Sequence, residues 1–239
     1  MRLGAQAMGW VVGLSLTMLA IGAAHGQKVA VKTTKPPRGA IVLFGGKDLS
    51  EWVRRGSDRP AGWSVADGAV TVVPGAGDIV TKREFGDFHL HLEFMTPPMP
   101  QASGQGKGNS GVYLHGRYEI QVLDSYNNET YKAGGCGAIY GQKDPDVNAA
   151  LPPEQWQSYD ITFRAPRLDA DGKVVERPRV TVWWNGIKVH NDVEIALDST
   201  VAGIGGAVPA RGPILLQDHG NPVRYRNIWV KPLDPPAQR

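Results

Sequence analysis

The segment Trp183-Trp184-Asn185-Gly186-Ile187-Lys188-Val189 is the clearest local indication of the fold. Its Asn-Gly dipeptide stands between two runs of strand-like composition, and Asn-Gly readily supplies the two positive φ angles of a two-residue hairpin turn. Asp67-Gly68 stands in the same way between Trp63-Ser64-Val65 and Ala69-Val70-Thr71-Val72. Both segments predict β-hairpins, and the chain is therefore expected to be built from strands.

Alternation of apolar and polar residues extends this prediction along the chain. After residue 40, apolar residues almost never recur at helical spacing, whereas short alternating segments are separated by Gly, Pro, Asn or Asp. The predicted strands lie at 62–65, 69–73, 88–95, 110–115, 118–123, 158–164, 179–184, 187–191, 213–217 and 223–231. Because long loops join many of them, we expect an all-β, two-sheet antiparallel β-sandwich in a single domain.

The first 26 residues have the layout of a secretory signal peptide. Arg2 precedes an apolar run from Met8 to Ala24, and Ala24-His25-Gly26 supplies a small-x-small cleavage site. A membrane anchor is the alternative, but glycines and hydroxyl residues interrupt the run, which is shorter than the roughly 20 apolar residues of a span. We expect cleavage after Gly26 and an exported chain, periplasmic or extracellular, with no membrane span when mature.

The remaining chain is expected to form one domain. Residues 27–39, with two prolines and three lysines, predict a flexible N-terminal segment; residues 40–233 predict the sandwich and residues 234–239 a C-terminal tail. Taking 26 residues from 239 leaves 213, a size that all-β sandwiches commonly reach as one unit. The single cysteine, Cys136, excludes an intrachain disulfide, and we expect it to be buried.

The charge of the chain does not indicate a nucleic-acid partner. Its 26 Lys and Arg residues and 23 Asp and Glu residues give a formal net charge of +3, and the two signs are interspersed. Neither a basic stripe nor an aromatic RNA-binding motif occurs, so the charge is typical of solubility balance. We expect no nucleic acid among the partners.

Three predicted strands carry polar residues on one face and apolar residues on the other, because successive strand residues point to opposite faces. The polar sets are His89, His91 and Glu93 on one strand, Asn109, Gly111, Tyr113 and His115 on the next, and Glu119 and Gln121 on the third. A solvated face would carry mainly Lys, Thr and Ser, whereas imidazole, carboxylate and amide groups predominate here. We favour a ligand-binding sheet face over an ordinary solvated one.

Individual residues of these sets allow more than one interpretation. The strand imidazoles with Glu93 could hold a divalent cation, but no spacing in the sequence is specific to zinc. The metal ligands are therefore unknown, and no cofactor is certain. Glu119 and Asp124 could divide acid and base roles in glycoside cleavage, but their geometry does not follow from their spacing.

A series of motifs occurs in one order over the whole mature chain. In the first half they are Leu43-Phe44-Gly45-Gly46-Lys47-Asp48-Leu49-Ser50-Glu51-Trp52, Gly62-Trp63, Thr81-Lys82, Phe85-Gly86-Asp87-Phe88, Gly108-Asn109-Ser110-Gly111-Val112-Tyr113-Leu114 and Tyr118-Glu119-Ile120-Gln121-Val122-Leu123-Asp124. In the second half they are Gly137-Ala138-Ile139-Tyr140-Gly141, Gln155-Trp156-Gln157-Ser158-Tyr159-Asp160 and Gln217-Asp218-His219-Gly220-Asn221-Pro222-Val223. With these motifs the sequence resembles the 3-keto-disaccharide hydrolase family.

The resemblance implies a concanavalin A-like jelly roll whose concave sheet faces carbohydrate. It also implies an enzyme that cleaves the glycosidic bond of 3-keto-glycosides, such as an oxidised disaccharide. A ketone at C3 acidifies the proton on C2, so a base can remove it, the group on C1 can leave, and water can add back. The alternatives are a non-catalytic carbohydrate-binding jelly-roll module with the same sheet face and a partner-binding or envelope structural domain.

The resemblance and the polar faces together give the candidate residues. The catalytic candidates are Glu119, His219, Asp124 and Glu93, with Glu119 or His219 as the base that takes the C2 proton. The substrate-binding candidates are Lys82, Asn109, Tyr113, His115, Gln121, Tyr140 and Gln217.

Overall fold

The computed structural model describes Met1 and residues 33–233 of the 239-residue chain. The predicted signal peptide and the tail at 234–239 lie outside the described residues, apart from Met1, so the cleavage site and export stay predictions. In the described part, no helix is long and apolar enough to cross a membrane.

Fifteen strands and one 3-10 turn, Gly104–Gly106, make up the regular structure of the described residues. The strands are β1 (Ile41–Phe44), β2 (Trp52–Arg54), β3 (Ser64–Ala66), β4 (Ala69–Thr71), β5 (Ile79–Thr81), β6 (Phe88–Met95), β7 (Asn109–Leu114), β8 (Tyr118–Leu123), β9 (Gln157–Arg164), β10 (Arg167–Leu168), β11 (Val174–Glu176), β12 (Arg179–Trp184), β13 (Ile187–Glu194), β14 (Leu215–Leu216) and β15 (Arg224–Pro232).

Thirteen of these strands form two antiparallel sheets. The eight-stranded sheet has the order β13-β12-β9-β6-β15-β4-β3, with β1 also paired to β15. The five-stranded sheet has the order β2-β5-β14-β7-β8, and β10 and β11 form a separate two-stranded ribbon. The prediction of an all-β antiparallel sandwich is confirmed.

The hydrophobic core fills the space between the two sheets. Leu90 and Leu92 of β6 and Ile120 and Val122 of β8 are fully buried in one apolar cluster. Burial of a side chain of this size contributes about 1.5–3 kcal/mol. Because strand residues alternate between faces, the residues between them point away from the core. The outer face of β7 and β8 and the outer face of β6 are therefore two different surfaces, on opposite sides of the sandwich.

Every predicted strand segment overlaps an observed strand. Both predicted hairpin turns are confirmed: φ is 51° at Asp67 and 72° at Gly68, and 52° at Asn185 and 79° at Gly186. The unpredicted strands β1, β2, β5, β10 and β11 have two to four residues each, too few for alternation to be recognised.

Two further expectations concern single segments. Cys136 is buried as expected, and burial raises the pKa of its thiol to about 12.

Within the predicted flexible N-terminal segment, the Thr34 carbonyl accepts hydrogen bonds from Asn227 Nδ2 at 2.9 Å and Trp229 Nε1 at 3.3 Å. This part of the segment therefore contacts β15 on the outer face of the eight-stranded sheet.

Candidate active site

A small cavity lies on the outer face of the five-stranded sheet. Its floor is formed where β7 and β8 pair, with Tyr113 opposite Glu119 and Gly111 opposite Gln121. The cavity has a volume of about 150 Å³. Its lining residues are Gln105, Asn109, Tyr113, Glu119, Gln121, Tyr140, Val201, Ala202, Gln217 and His219. Seven of the predicted site residues are thus brought together.

Glu119 is the buried carboxyl group of this cavity, with 4% of the residue exposed. Burial raises its pKa to about 7, and the negative charge of Asp78 acts in the same direction, against a hydrogen bond from Tyr113 that lowers it. A carboxyl group with this pKa exchanges its proton near neutral pH. It therefore suits general acid and base catalysis.

Tyr113 connects Glu119 to the loop that follows β14. Its hydroxyl accepts a hydrogen bond from Gln217 Nε2 at 2.9 Å and is hydrogen-bonded to the Glu119 carboxyl. Burial, with the charge of Glu119, raises the pKa of Tyr113 well above its usual range. Tyr113 therefore keeps its proton and donates a hydrogen bond to the Glu119 carboxylate.

Gly111 provides the space in which Glu119 and Tyr113 meet. A Cβ atom at this position would lie 2.6 Å from Glu119 Oε1 and 2.7 Å from Tyr113 Cε2. Both distances are too short for non-bonded atoms, so any larger residue would displace one of the two side chains. The absence of a side chain at Gly111 is therefore a requirement of the site.

Two amide side chains beside Glu119 are oriented by Gln105. Asn109 Nδ2 donates to the Gln105 carbonyl at 3.2 Å, and Gln121 Nε2 donates to the Gly134 carbonyl at 3.3 Å and to Gln105 Oε1 at 3.2 Å. Because backbone carbonyls only accept, the amide oxygens must face elsewhere. Asn109 Oδ1 and Gln121 Oε1 are buried without a protein partner in the part of the chain described. Such acceptors suit the hydroxyl groups of a sugar.

The loop from Gln217 to Asn221 forms one wall of the cavity. The Gln217 amide donates to the Gly111 carbonyl at 3.0 Å, and Asn221 Oδ1 accepts from the Asn109 amide at 3.0 Å. Both ends of the loop are thus fastened to β7. His219 lies between them, exposed at the mouth of the cavity.

Tyr140 and the loop around Val201 complete the rim. The Tyr140 hydroxyl is hydrogen-bonded to the Tyr131 hydroxyl, which raises the pKa of Tyr140 to about 12. Val201 is 92% exposed, and Ala202 follows it in the lining. Sequence reasoning missed Gln105, Val201 and Ala202, because they lie outside the strands, where no alternation reveals which side chain faces a cavity.

The structure does not bring Glu93 to this cavity. Glu93 lies on β6, on the opposite outer face, where its carboxylate accepts from Arg226 Nε at 2.6 Å and Asn227 Nδ2 at 2.9 Å. Burial alone would raise its pKa, but hydrogen bonds from His91, Asn227 and Arg226 outweigh that effect and lower it to about 2. Glu93 therefore belongs to a buried ionic cluster and is far from the proposed chemistry.

Three other predicted residues also lie away from the cavity lining. Asp124, just after β8, is buried and lies 3.3 Å from Lys107 Nζ. His115 is buried against the Phe163 ring, with centroids 4.8 Å apart, and its Nε2 donates to the Gly86 carbonyl at 3.2 Å. Lys82 lines a separate groove of about 580 Å³ that also includes Trp52 and Trp63.

The chemistry of the lining does not single out a metal ion. Within residues 33–233, no group of three or more His, Cys, Asp or Glu side chains is arranged to hold one. The cavity instead combines one carboxyl group, two tyrosine hydroxyls, one imidazole and several amides.

An antiparallel sandwich with a concave polar cavity on one face is typical of a jelly-roll protein that binds a small polar ligand. The chain belongs to the 3-keto-alpha-glucoside-1,2-lyase-like family, whose model matches residues 39–231. This match confirms the resemblance found in the motifs.

Individual relatives agree with this assignment. A 3-keto-disaccharide hydrolase of Bacteroides thetaiotaomicron is 26% identical over 238 residues, covering 82% of this chain and 79% of the relative. A crystal structure from Parabacteroides distasonis, described as that of a candidate glycosyl hydrolase, is 43% identical with a TM-score of 0.77, covering 82% of this chain and 85% of the other. A second such structure from this organism is 25% identical with a TM-score of 0.57, covering 81% and 99%. The comparisons support a glycoside-cleaving enzyme.

Proposed function

We propose that the chain cleaves the glycosidic bond of 3-keto-glycosides, including 3-keto-disaccharides, in the cavity around Glu119. The observation that carries the proposal is the buried carboxyl of Glu119, whose pKa of about 7 lets it both take and return a proton. Removal of a proton next to a ketone needs a base of this kind. Membership of the 3-keto-alpha-glucoside-1,2-lyase-like family supports a substrate with a ketone at C3.

In the first step the ionised Glu119 takes the proton from C2, and the electron pair of the C2–H bond forms an enolate with the C3 ketone. Tyr113 stabilises the carboxylate before transfer, because its hydroxyl donates to Glu119. Tyr140 is the candidate donor to the enolate oxygen, since a pKa of about 12 keeps its hydroxyl protonated.

In the second step the enolate re-forms the ketone and its electron pair makes a C1=C2 double bond, while the C1–O bond to the aglycone breaks. His219, at the mouth of the cavity, supplies the proton to the departing oxygen. Water then adds at C1, Glu119 returns its proton to C2, and the proton lost by the water restores His219. The net reaction is hydrolysis, with both catalytic groups regenerated.

Substrate binding is proposed to use the amide groups of the floor. Asn109 Oδ1 and Gln121 Oε1, together with Gln217 Oε1, are buried acceptors without a protein partner among the described residues. Sugar hydroxyls are the donors that would satisfy them, and each unpaired buried group costs about 1–3 kcal/mol until it is satisfied. These acceptors hold the ring, whereas Glu119 and His219 act on it.

The test is release of the aglycone from a 3-keto-aryl glucoside, with the unoxidised aryl glucoside as the matched substrate. We expect release only from the oxidised substrate, with a loss of about 10²–10⁴-fold in Glu119→Gln. The exposed Glu84 lies outside the cavity, so Glu84→Gln is the control and should keep full activity. Repeating the assay with a chelator tests the divalent cation. Equal turnover by Glu119→Gln, with the fold retained, would refute the mechanism.

A non-catalytic carbohydrate-binding module is the second candidate. The unpaired acceptors of Asn109 and Gln121 favour it, because they would bind hydroxyl groups without any chemistry. Binding of the 3-keto-glucoside by the wild-type protein without release of aglycone would support this function.

Export is also proposed, on the strength of the apolar run from Met8 to Ala24 and the cleavage site at Ala24-His25-Gly26. N-terminal sequencing of the secreted or periplasmic protein should find Gln27 as the first residue. A mature protein that begins at Met1 would contradict this proposal.

A further inference from the structure

One guanidinium group lies behind the wall of the cavity that includes Ala202. Arg55, directly after β2, donates from Nη1 to the Ala202 carbonyl at 2.8 Å and from Nη2 to the Gly203 carbonyl at 3.1 Å. The same Nη1 lies 2.9 Å from Asp78 Oδ2. Arg55 thus holds two consecutive carbonyls of the loop and one carboxylate.

Asp78, directly before β5, connects this guanidinium to the opposite wall. Its second oxygen, Oδ1, accepts a hydrogen bond from the Asp218 backbone amide at 2.9 Å. The Asp218 carboxylate in turn accepts from the Gly75 and Gly77 amides at 2.8 and 2.9 Å. Asp218 immediately precedes His219, so the backbone position of His219 depends on these hydrogen bonds of Asp218.

The two side chains also hold each other in place. The Arg55 amide donates to the Asp78 carbonyl at 2.9 Å, next to the side-chain ion pair. The Arg55 and Asp78 side chains are 33% and 17% exposed, so water only partly screens their interaction. Hydrogen bonds to an ionised group are stronger than neutral ones. Four hydrogen bonds of this kind converge here: the ion pair itself, the two from Arg55 to the Ala202 and Gly203 carbonyls, and the one from the Asp218 amide to Asp78.

We propose that Arg55 and Asp78 form a positioning pair that sets the two cavity walls relative to Glu119, one wall carrying Val201 and Ala202 and the other His219. The inference rests on the proposed function, in which His219 protonates the departing oxygen while Glu119 holds the C2 proton. Neither Arg55 nor Asp78 lines the cavity, so the pair acts through the loops and not on the substrate.

The charge of Asp78 gives the pair a second effect. Asp78 contributes to the raised pKa of Glu119, after the larger effect of burial. The titratable and charged groups around Glu119 are Tyr113 on β7, Tyr140 beside β8, His219 after β14, Asp78 before β5, Arg55 after β2 and Tyr225 on β15. Among these groups Asp78 is the one whose negative charge raises the pKa of Glu119, so replacing it with a neutral residue should lower that pKa.

Variants of Arg55 separate positioning from simple destabilisation. Arg55→Ala should lower kcat with the 3-keto-aryl glucoside by about 10–100-fold, because a small misplacement of a catalytic group has effects of this size. Arg55→Lys keeps the charge but not the fork, and it should recover part of the loss. Arg59→Ala is the control, since Arg59 is exposed and outside the cavity. KM should change less than kcat, and a loss confined to KM would overturn the proposal.

Variants of Asp78 separate its charge from its hydrogen bond. Asp78→Asn removes the negative charge, so it should shift the acidic limb of the pH profile to lower pH. Because it keeps an acceptor for the Asp218 amide, it should lose less kcat than Asp78→Ala. Asp58→Asn is the matched control, because Asp58 is exposed and lies in the other groove. Equal pH profiles for the wild type and Asp78→Asn would overturn the electrostatic part.

A measurement without substrate keeps this inference separate from the proposed function. The ¹³C resonance of the Glu119 carboxyl, assigned by its absence in Glu119→Gln, is titrated in the wild type and in Asp78→Asn. Hydrogen exchange of the Gly203 and Asp218 amides is followed in the wild type and in Arg55→Ala. We expect a lower Glu119 pKa in the first variant and faster exchange in the second. If neither changes, the pair does not position the site, whether or not the protein cleaves 3-keto-glycosides.

Discussion

Tyr113 and Glu119 lie directly opposite each other on β7 and β8, and the buried tyrosine hydroxyl is hydrogen-bonded to the glutamate carboxyl. Burial alone would favour the neutral form of Glu119, whereas the tyrosine hydrogen bond favours the ionised form. The two effects together leave the pKa at about 7. The pair therefore controls at which pH the cavity contains a base.

Activity should depend on pH through Glu119. Because the ionised form takes the C2 proton, kcat/KM for the 3-keto-aryl glucoside should rise with pH through about 7. A series of initial rates between pH 5 and 9 on the wild type tests this prediction. Constant kcat/KM across pH 7 would mean that a different group is the base.

Replacing Tyr113 should change the pH at which this rise in kcat/KM occurs. Tyr113→Phe removes the hydrogen bond that lowers the Glu119 pKa, so the acidic limb of the pH profile should shift to higher pH. The rate should therefore fall less at high pH than at neutral pH. Tyr126→Phe is a matched control, because Tyr126 is 40% exposed and outside the cavity. A shift to lower pH would contradict the assigned hydrogen bond.

The raised pKa of Glu119 should also cost stability. The folded-state pKa of about 7 is above the ordinary value of 4.5 for a glutamate, so the folded state binds the proton more tightly than the unfolded state. This contribution is present below about pH 4.5 and is lost as pH rises to about 7. Glu119→Gln should therefore be more stable than the wild type at pH 8, by about 3 kcal/mol, and similar at pH 4.5. Urea unfolding at the two pH values measures the difference, and a less stable variant at pH 8 would count against it.

Gly111→Ala should damage the site more than the fold. The new Cβ would lie within 2.7 Å of both Glu119 and Tyr113, which must then move apart. We expect a loss of kcat of at least about tenfold with a destabilisation of about 1–3 kcal/mol. Gly205→Ala is the control, because no atom lies within 4 Å of the Cβ built there. Full activity in Gly111→Ala would show that the cavity tolerates displacement of the pair.

Glu93→Gln should have the opposite effect to Glu119→Gln. The Glu93 pKa of about 2 is below its ordinary value, so its contribution to stability is present above about pH 4.5 and is lost as pH falls to about 2. Breaking this buried pair with Arg226 should cost about 2–4 kcal/mol at pH 7, with activity per folded molecule retained. Thermal unfolding and the aglycone assay measure the two quantities. Loss of activity in a folded Glu93→Gln protein would return Glu93 to the catalytic candidates.

The fold could be predicted from the sequence because seven of the fifteen strands have six to nine residues and show alternation, and because Asp67-Gly68 and Asn185-Gly186 fix two turns. The same alternation could not say which sheet a strand joins. Glu93 and Glu119 each lie in a strand between two apolar residues, yet they point to opposite sides of the sandwich. That distinction depends on long-range pairing, which local pattern does not encode.

The candidate site was predictable where strands supply it and not where loops do. Asn109, Tyr113, Glu119 and Gln121 follow from the faces of β7 and β8. Gln105 could not be found, because its contacts with Thr130 and Gly134 come from a loop that is distant in sequence. Arg55 and Asp78 were missed for the same reason.

The cavity volume of about 150 Å³ has a consequence for longer substrates. Pockets for drug-sized ligands measure about 300–1,000 Å³, so this one has room for a single pyranose ring. Under the proposed function, only the terminal unit of an oxidised oligosaccharide could enter, and the remainder of the chain would stay in solvent. Degradation would then proceed unit by unit from the free ends, at a rate set by the number of ends and not by the total mass of polymer.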